Sequence, residues 1–182
     1  MSKKISTKQL VFSAMAIALA TVISMLEIAP FPNGGSITLF SMLIICLIGY
    51  WYGPKTGIIA AISYGIIQFL IKPYFVHPAQ VLLDYPLAFG ALGLSGLFSN
   101  AKNGLLKGYL CGVSGRLFFH IVSGIIFYTT YVGDLHGNLL AIWAGVLYNL
   151  SYIVPEAALT VVLLLLPPVK KALSYIKTNA LS

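Results

Sequence analysis

Asp84 lies near the start of an apolar run, Val81 to Phe98, that reads as a membrane-spanning helix. It is one of only 4 acidic residues in 182. A carboxylate at the centre of such a helix costs roughly 2.5–3.5 kcal/mol, and less near the interface, so it calls for a partner or a task. Tyr85 follows it. In a later run His120, Gly124 and Tyr128 are spaced i, i+4, i+8 and share one helical face. Gly124 leaves room there for a flat group to approach the backbone. Asn149 stands in the middle of the last run. A carboxylate, an imidazole, an amide and several phenols are the usual lining of a small-molecule pocket. Aromatic faces with one carboxylate suit a flat cation, through cation–π attraction and charge pairing. Plainer readings compete. A lone His in a helix is more often a structural hydrogen-bonder. Asp84 could instead pair with Lys72 or Lys107, and tyrosines such as Tyr50, Tyr52, Tyr131 and Tyr175 suit an interfacial belt.

The remaining charges have other expected uses. Arg116 and Glu156 fall at matching depth on the last two runs, which favours an ion pair joining two helices. Glu27, just before Pro30, could cap a loop or rim a site. Ala14/Ala18 and Ala16/Ala20 are overlapping small-xxx-small pairs, and Gly108/Gly112 is similar. Such faces let another helix approach closely, either within the protein or from a partner. Catalytic and metal signatures are absent. Gly53-Pro54-Lys55-Thr56 resembles the end of a Walker A loop, but Pro54 replaces the glycine. No H-E-x-x-H, G-x-S-x-G or Cys/His cluster occurs, so neither an enzyme nor a metal or cofactor site is expected.

These residues must be positioned by helices. The chain is 59% hydrophobic and 8% charged, against about 25% charged in a soluble domain. It reads as an all-α integral membrane protein forming one domain over 1–182, in contact with the bilayer and with no sign of nucleic-acid binding. Six spans are expected: Leu10–Ala29, Ser36–Tyr52, Thr56–Ile71, Gln80–Phe98, Leu106–Tyr131 and Leu139–Leu166. Prolines and glycines close them, Pro167-Pro168 closing the last. The first is expected to be retained rather than cleaved. Cys46 and Cys111 fall inside helices, so no disulfide is expected. Net charge is +7, and with six spans nearly all lysines fall on one side, Lys72 being the exception. That places both termini in the cytoplasm. Asp84, Tyr85, His120 and Tyr128 then share the outer half of the membrane.

Three segments carry a resemblance. His77-Pro78-Ala79-Gln80-Val81-Leu82-Leu83-Asp84-Tyr85-Pro86-Leu87-Ala88-Phe89 resembles the fourth-helix signature of the thiamine-specific S component of energy-coupling factor (ECF) transporters. Phe118-Phe119-His120 through Tyr128 resembles the fifth-helix motif, and Tyr148-Asn149 with Tyr152-Ile153-Val154-Pro155 the sixth. The resemblance covers nearly the whole chain. It implies the S-component fold, high-affinity binding of thiamine from outside a prokaryotic cell, and a partner module of one transmembrane coupling subunit and two ATPases. By position it assigns Asp84, His120 and Asn149 to the ligand's rings, with Tyr85, Tyr74, Gly124, Tyr128 and Tyr64 at other pocket positions. Ala14 and Ala18 would lie on the docking face. The loop holding Asn33-Gly34-Gly35 would be a lid. The chain differs from the family in having Asp84 where glutamate is common, Tyr64 and Tyr128 where tryptophan can stand, Gly34-Gly35 in place of a stacking tryptophan, and Ala144 where tyrosine can occur. A thiamine precursor or another vitamin as ligand, and a structural membrane subunit without ligand, are the alternatives.

Overall fold

A computed structural model describes residues 5–31, 35–127 and 139–181. Tyr128, Asn33, Gly34 and Tyr131, all singled out above, lie outside the described residues. Helix α1 (Thr7–Ser24) starts at a capping box. Ser6 Oγ accepts from the Gln9 amide, and the Gln9 side chain accepts from the Ser6 amide. A short antiparallel hairpin follows, β1 (Glu27–Pro30) and β2 (Ser36–Thr38), in the register Glu27↔Thr38, Ala29↔Ile37 and Pro30↔Ser36. Helix α2 (Ser41–Tyr52) then leads through Gly53 into α3 (Pro54–Ile71). Gly53 has φ 87°, a left-handed value that suits glycine. Pro54 takes the first helical turn, where no amide is missed.

The fourth span, α4 (Pro78–Phe98), is continuous but not regular. It opens as α-helix over Pro78–Leu82 and widens to a π turn over Leu83–Leu87. It passes through Ala88–Gly90 and tightens to 3₁₀ over Ala91–Phe98. Pro86 lies inside the π turn. A proline there lacks an amide and its ring crowds the preceding turn, and a wider turn accommodates both. Helices α5 (Gly104–Phe127), α6 (Leu139–Leu165) and α7 (Pro167–Leu181) complete the chain.

Five of these helices are long and apolar enough to cross a membrane: α1, α3, α4, α5 and, over Ile142–Leu165, α6. The protein is an all-α membrane protein. Helix α2 has 12 residues, a rise of about 18 Å against a hydrocarbon core of about 30 Å. Two expected boundaries are corrected by the hairpin. The first helix stops at Ser24 rather than Ala29, and the second starts at Ser41 rather than Ser36. The reason is a buried anchor. Glu156 on α6 accepts from the Thr38 amide (3.1 Å), the Thr38 hydroxyl (3.0 Å) and the Ser41 hydroxyl (3.5 Å). Those bonds hold β2 extended against α6. Pro167-Pro168 is also more than an end, since it opens α7.

The helices meet through small residues. A Cβ added at Gly93 of α4 would sit 2.2 Å from the Ile58 amide nitrogen of α3, so only glycine permits that crossing. Gly108 and Gly112 of α5 likewise pack inward, against Ser95 and Leu92 of α4. Met42, Ile45, Tyr64, Leu92, Tyr109 and Ile153 form the centre of the core. Cys46 and Cys111 are free thiols. Exposed Leu10, Met15, Leu19 and Val22 on α1, and Leu147, Val154 and Val162 on α6, give the apolar exterior that lipid requires.

Candidate ligand-binding site

At the end of the bundle where α1 and α3 finish, a cavity of about 150 Å³ opens between α1, the hairpin, α3, α4, α5 and α6. Asp84 lines it. Its Oδ2 accepts from Gln80 Nε2 (2.7 Å) and Ser123 Oγ (2.9 Å), and its Oδ1 faces His120 Nδ1 at 3.0 Å. Gln80 reaches Asp84 from one helical turn earlier, and its own carbonyl accepts from the Val76 amide. The π turn contains both Asp84 and Tyr85. Tyr85 folds toward the loop, donating from its hydroxyl to the Lys72 carbonyl (2.9 Å) and accepting from the Tyr74 amide (3.1 Å).

The chain of polar groups continues through His120. Arg116 Nε donates to His120 Nε2 at 3.3 Å. A guanidinium has only donors, so His120 Nε2 must accept. The ring proton therefore sits on Nδ1 and points at Asp84. A neutral imidazole thus links a cation to a carboxylate, and the three residues are held in one order, Arg116–His120–Asp84. Arg116 also stacks over Phe89, 4.3 Å from guanidinium carbon to ring centroid. Among the described residues no acceptor is bonded to its Nη atoms, and Arg116 lines the cavity. The expected Arg116–Glu156 ion pair is not formed. Glu156 is 3% exposed and satisfied by Thr38 and Ser41. Lys72 does not pair with Asp84 either, but with Glu27, and both stand at the cavity wall.

The walls are aromatic. Tyr64 packs edge-on against Phe89 with centroids 5.2 Å apart, and Tyr85 lies nearly parallel to Phe89 at 6.4 Å. Phe31, Tyr148 and Tyr152 form a second group, the two tyrosines 5.6 Å apart. Asn149 is locked between helices. Its Nδ2 donates to the carbonyls of Gly145 (3.0 Å) and His120 (3.3 Å), and its Oδ1 accepts from Tyr152 (2.8 Å). A Cβ at Gly124 would meet Asn149 Nδ2 at 3.3 Å, so the absent side chain keeps α5 and α6 close.

The hairpin closes over this wall. The Gly35 amide donates to the Tyr148 hydroxyl at 2.9 Å. A Cβ on Gly35 would lie 2.7 Å from that oxygen and 2.9 Å from the Tyr152 ring. Of the residues expected at a site, Asp84, Tyr85, His120, Gly124, Asn149, Tyr64 and Tyr74 all line this cavity. Tyr64 is 1% exposed, with its hydroxyl 3.5 Å from the Ala20 carbonyl. Ala14 and Ala18 lie on the exposed side of α1, while Ala20 packs inward. Sequence reasoning missed Gln80, Ser123, Phe89 and Arg116 as site residues. The i, i+4 spacing of Arg116 to His120, and of Gln80 to Asp84, was the available signal.

Fold and cavity together define a multi-pass helical membrane protein with an aromatic, polar-lined cavity at one end. The chain belongs to the thiamine transporter protein (Thia_YuaJ) family, whose model matches residues 10–176. It is 29% identical over 150 residues to the thiamine transporter ThiT of Bacillus subtilis, covering 74% of this chain and 76% of that one. A shorter match, 31% over 94 residues, links it to the thiamine transporter ThiT of Lacticaseibacillus paracasei, covering 44% and 45% of the two chains. A solved structure of ThiT from Listeria monocytogenes has the same fold, with TM-score 0.66 and 24% identity, over 88% of this chain and 94% of that one. The chain is accordingly a multi-pass cell-membrane protein of a prokaryote.

Proposed function

We propose that the cavity binds thiamine and that the chain acts in its uptake as the substrate-binding S component of an ECF transporter. The observation that carries this reading is the ordered chain Arg116–His120–Asp84 on the floor of an aromatic cavity. A carboxylate offers about four acceptor directions, and three are taken, so Asp84 keeps one for an amino group of the ligand. Arg116 keeps Nη donors for ring nitrogens. An aminopyrimidine presents both, an amine and ring acceptors, on one edge. The positive thiazolium is best placed away from Arg116, against aromatic faces and toward the Glu27 side of the cavity. In this reading Asn149 holds α5 and α6 at the right spacing, and Tyr85 fixes the loop carrying Tyr74. Tyr64 belongs to the aromatic wall, and the family resemblance assigns Tyr128 to stack on the ligand.

Transport needs an energy source, which in this reading is ATP hydrolysis on separate subunits. The exposed small-residue face of Ala14 and Ala18 is the proposed docking surface for the coupling subunit. The hairpin, pinned at Gly35, is the part placed to open and close the cavity. Calorimetric titration of thiamine into the purified chain tests the binding claim. Submicromolar affinity is expected, with a large loss on Asp84→Ala. Affinity no better than millimolar, or an unchanged value for the variant, refutes it. Uptake of labelled thiamine into cells, with and without a co-expressed coupling module, tests the energising step.

A further inference from the structure

A second cavity, of about 250 Å³, lies at the opposite end of the bundle. It is bounded by the end of α2, the start of α5, the end of α6 and α7, and its wall includes Trp51, Asn103, Leu165, Lys170 and Lys177. Two ammonium groups stand beside it. Lys177 Nζ lies 4.0 Å over the Tyr50 ring and donates to the Ser99 carbonyl (3.3 Å), which fixes its charge at the wall. Lys170 Nζ makes no hydrogen bond among the described residues.

The surroundings name the ligand class. The described carboxylates Glu27, Asp84 and Glu156 all belong to the first cavity or to the hairpin anchored beside it. Lys55, Lys102, Lys107, Lys170, Lys171 and Lys177 mark the other end, so an anion is favoured there. The cavity is not only basic. Leu165 lines it and is 52% exposed, continuous with exposed Leu166 and the apolar exterior. A ligand that fills it is anionic at one end and apolar at the other. We propose that this cavity binds the phosphate headgroup of an acidic phospholipid. The phosphate pairs with Lys170 and Lys177, and an acyl chain lies along Leu165. Basic pockets between helices, flanked by lipid-facing apolar surface, are suited to such headgroups. Bound lipid would tie α7 to α2 and α5.

The experiment uses the full chain purified in detergent. Native mass spectrometry is expected to show at least one retained phosphatidylglycerol, and its complete absence overturns the proposal. Titrated phosphatidylglycerol should raise the thermal midpoint, and phosphatidylcholine should not. Lys170→Gln is expected to weaken the phosphatidylglycerol effect about fivefold, and Lys177→Gln by a similar factor. Equal protection of both variants, or an equal shift from phosphatidylcholine, contradicts it. An equal shift from inorganic phosphate makes the site a free-anion site and also contradicts it. Neither Lys170 nor Lys177 touches the first cavity, so thiamine binding should be unchanged and serves as the check on folding.

Discussion

Replacing Asp84 by asparagine removes one charge and almost no volume. The carboxylate accepts from Gln80, Ser123 and His120. An asparagine keeps one acceptor oxygen and gains an NH2. If the oxygen faces His120, the NH2 points at Gln80 Nε2 and Ser123 Oγ. Ser123 can turn to accept, but Gln80 cannot readily flip, because its carbonyl is held by the Val76 amide. If the oxygen faces Gln80 instead, the NH2 meets His120 Nδ1–H. The imidazole cannot change tautomer without setting Nε2–H against Arg116 Nε. Either way one donor pair collides, and the acceptor left for a ligand amine is neutral. A hydrogen bond to a charged group contributes about 1.5–3 kcal/mol. Thiamine affinity should therefore fall about tenfold to a hundredfold. Thermal stability should change less, because neutralising a partly buried carboxylate also removes its desolvation cost. Isothermal calorimetry and a thermal melt on the same preparation separate the two. Affinity within threefold of wild type, with a large drop in midpoint, would mean that Asp84 serves structure alone and would refute the reasoning.

Two further outcomes follow from the hairpin and its anchor. Glu156→Ala leaves the Thr38 amide and two buried hydroxyls without their acceptor, a cost of about 2–4 kcal/mol, so the thermal midpoint should drop by roughly 5–10 °C. Glu156→Gln, which keeps one oxygen, should recover part of that loss. Gly35→Ala forces a methyl against the Tyr148 hydroxyl and the Tyr152 ring, a misfit of about 1–3 kcal/mol. Its effect should appear as faster thiamine release in stopped-flow dissociation, with a smaller drop in the thermal midpoint than Glu156→Ala gives.

The helices were largely legible in the sequence, because uninterrupted apolar runs in a chain with 8% charge have few other uses. The span expected at Gln80–Phe98 is found at Pro78–Phe98, and that expected at Leu139–Leu166 at Leu139–Leu165. The hairpin was not legible. Ile28, Ala29, Ile37 and Thr38 suit a helix as well as a strand, and what extends them is Glu156, more than a hundred residues away. The same distance explains the error over Arg116. Depth alone matched it to Glu156, whereas the structure satisfies Glu156 with hydroxyls and turns Arg116 toward His120. The π turn had a local signal in Pro86, which cannot continue a regular helix. Its consequence, a widened turn carrying Asp84 and Tyr85, depends on packing that no local pattern encodes. Residues of one helical face, His120 and Gly124, were read correctly as neighbours, and both line the cavity.

The central claim is that the cavity around Asp84 binds thiamine. The most direct measurement is mass-spectrometric identification of the small molecule released when the purified wild-type chain is denatured. Thiamine should be recovered in near-stoichiometric amount from wild type and be depleted from Asp84→Ala. Recovery of a different compound, or a ligand-free chain that also fails to take up added thiamine, would contradict the account.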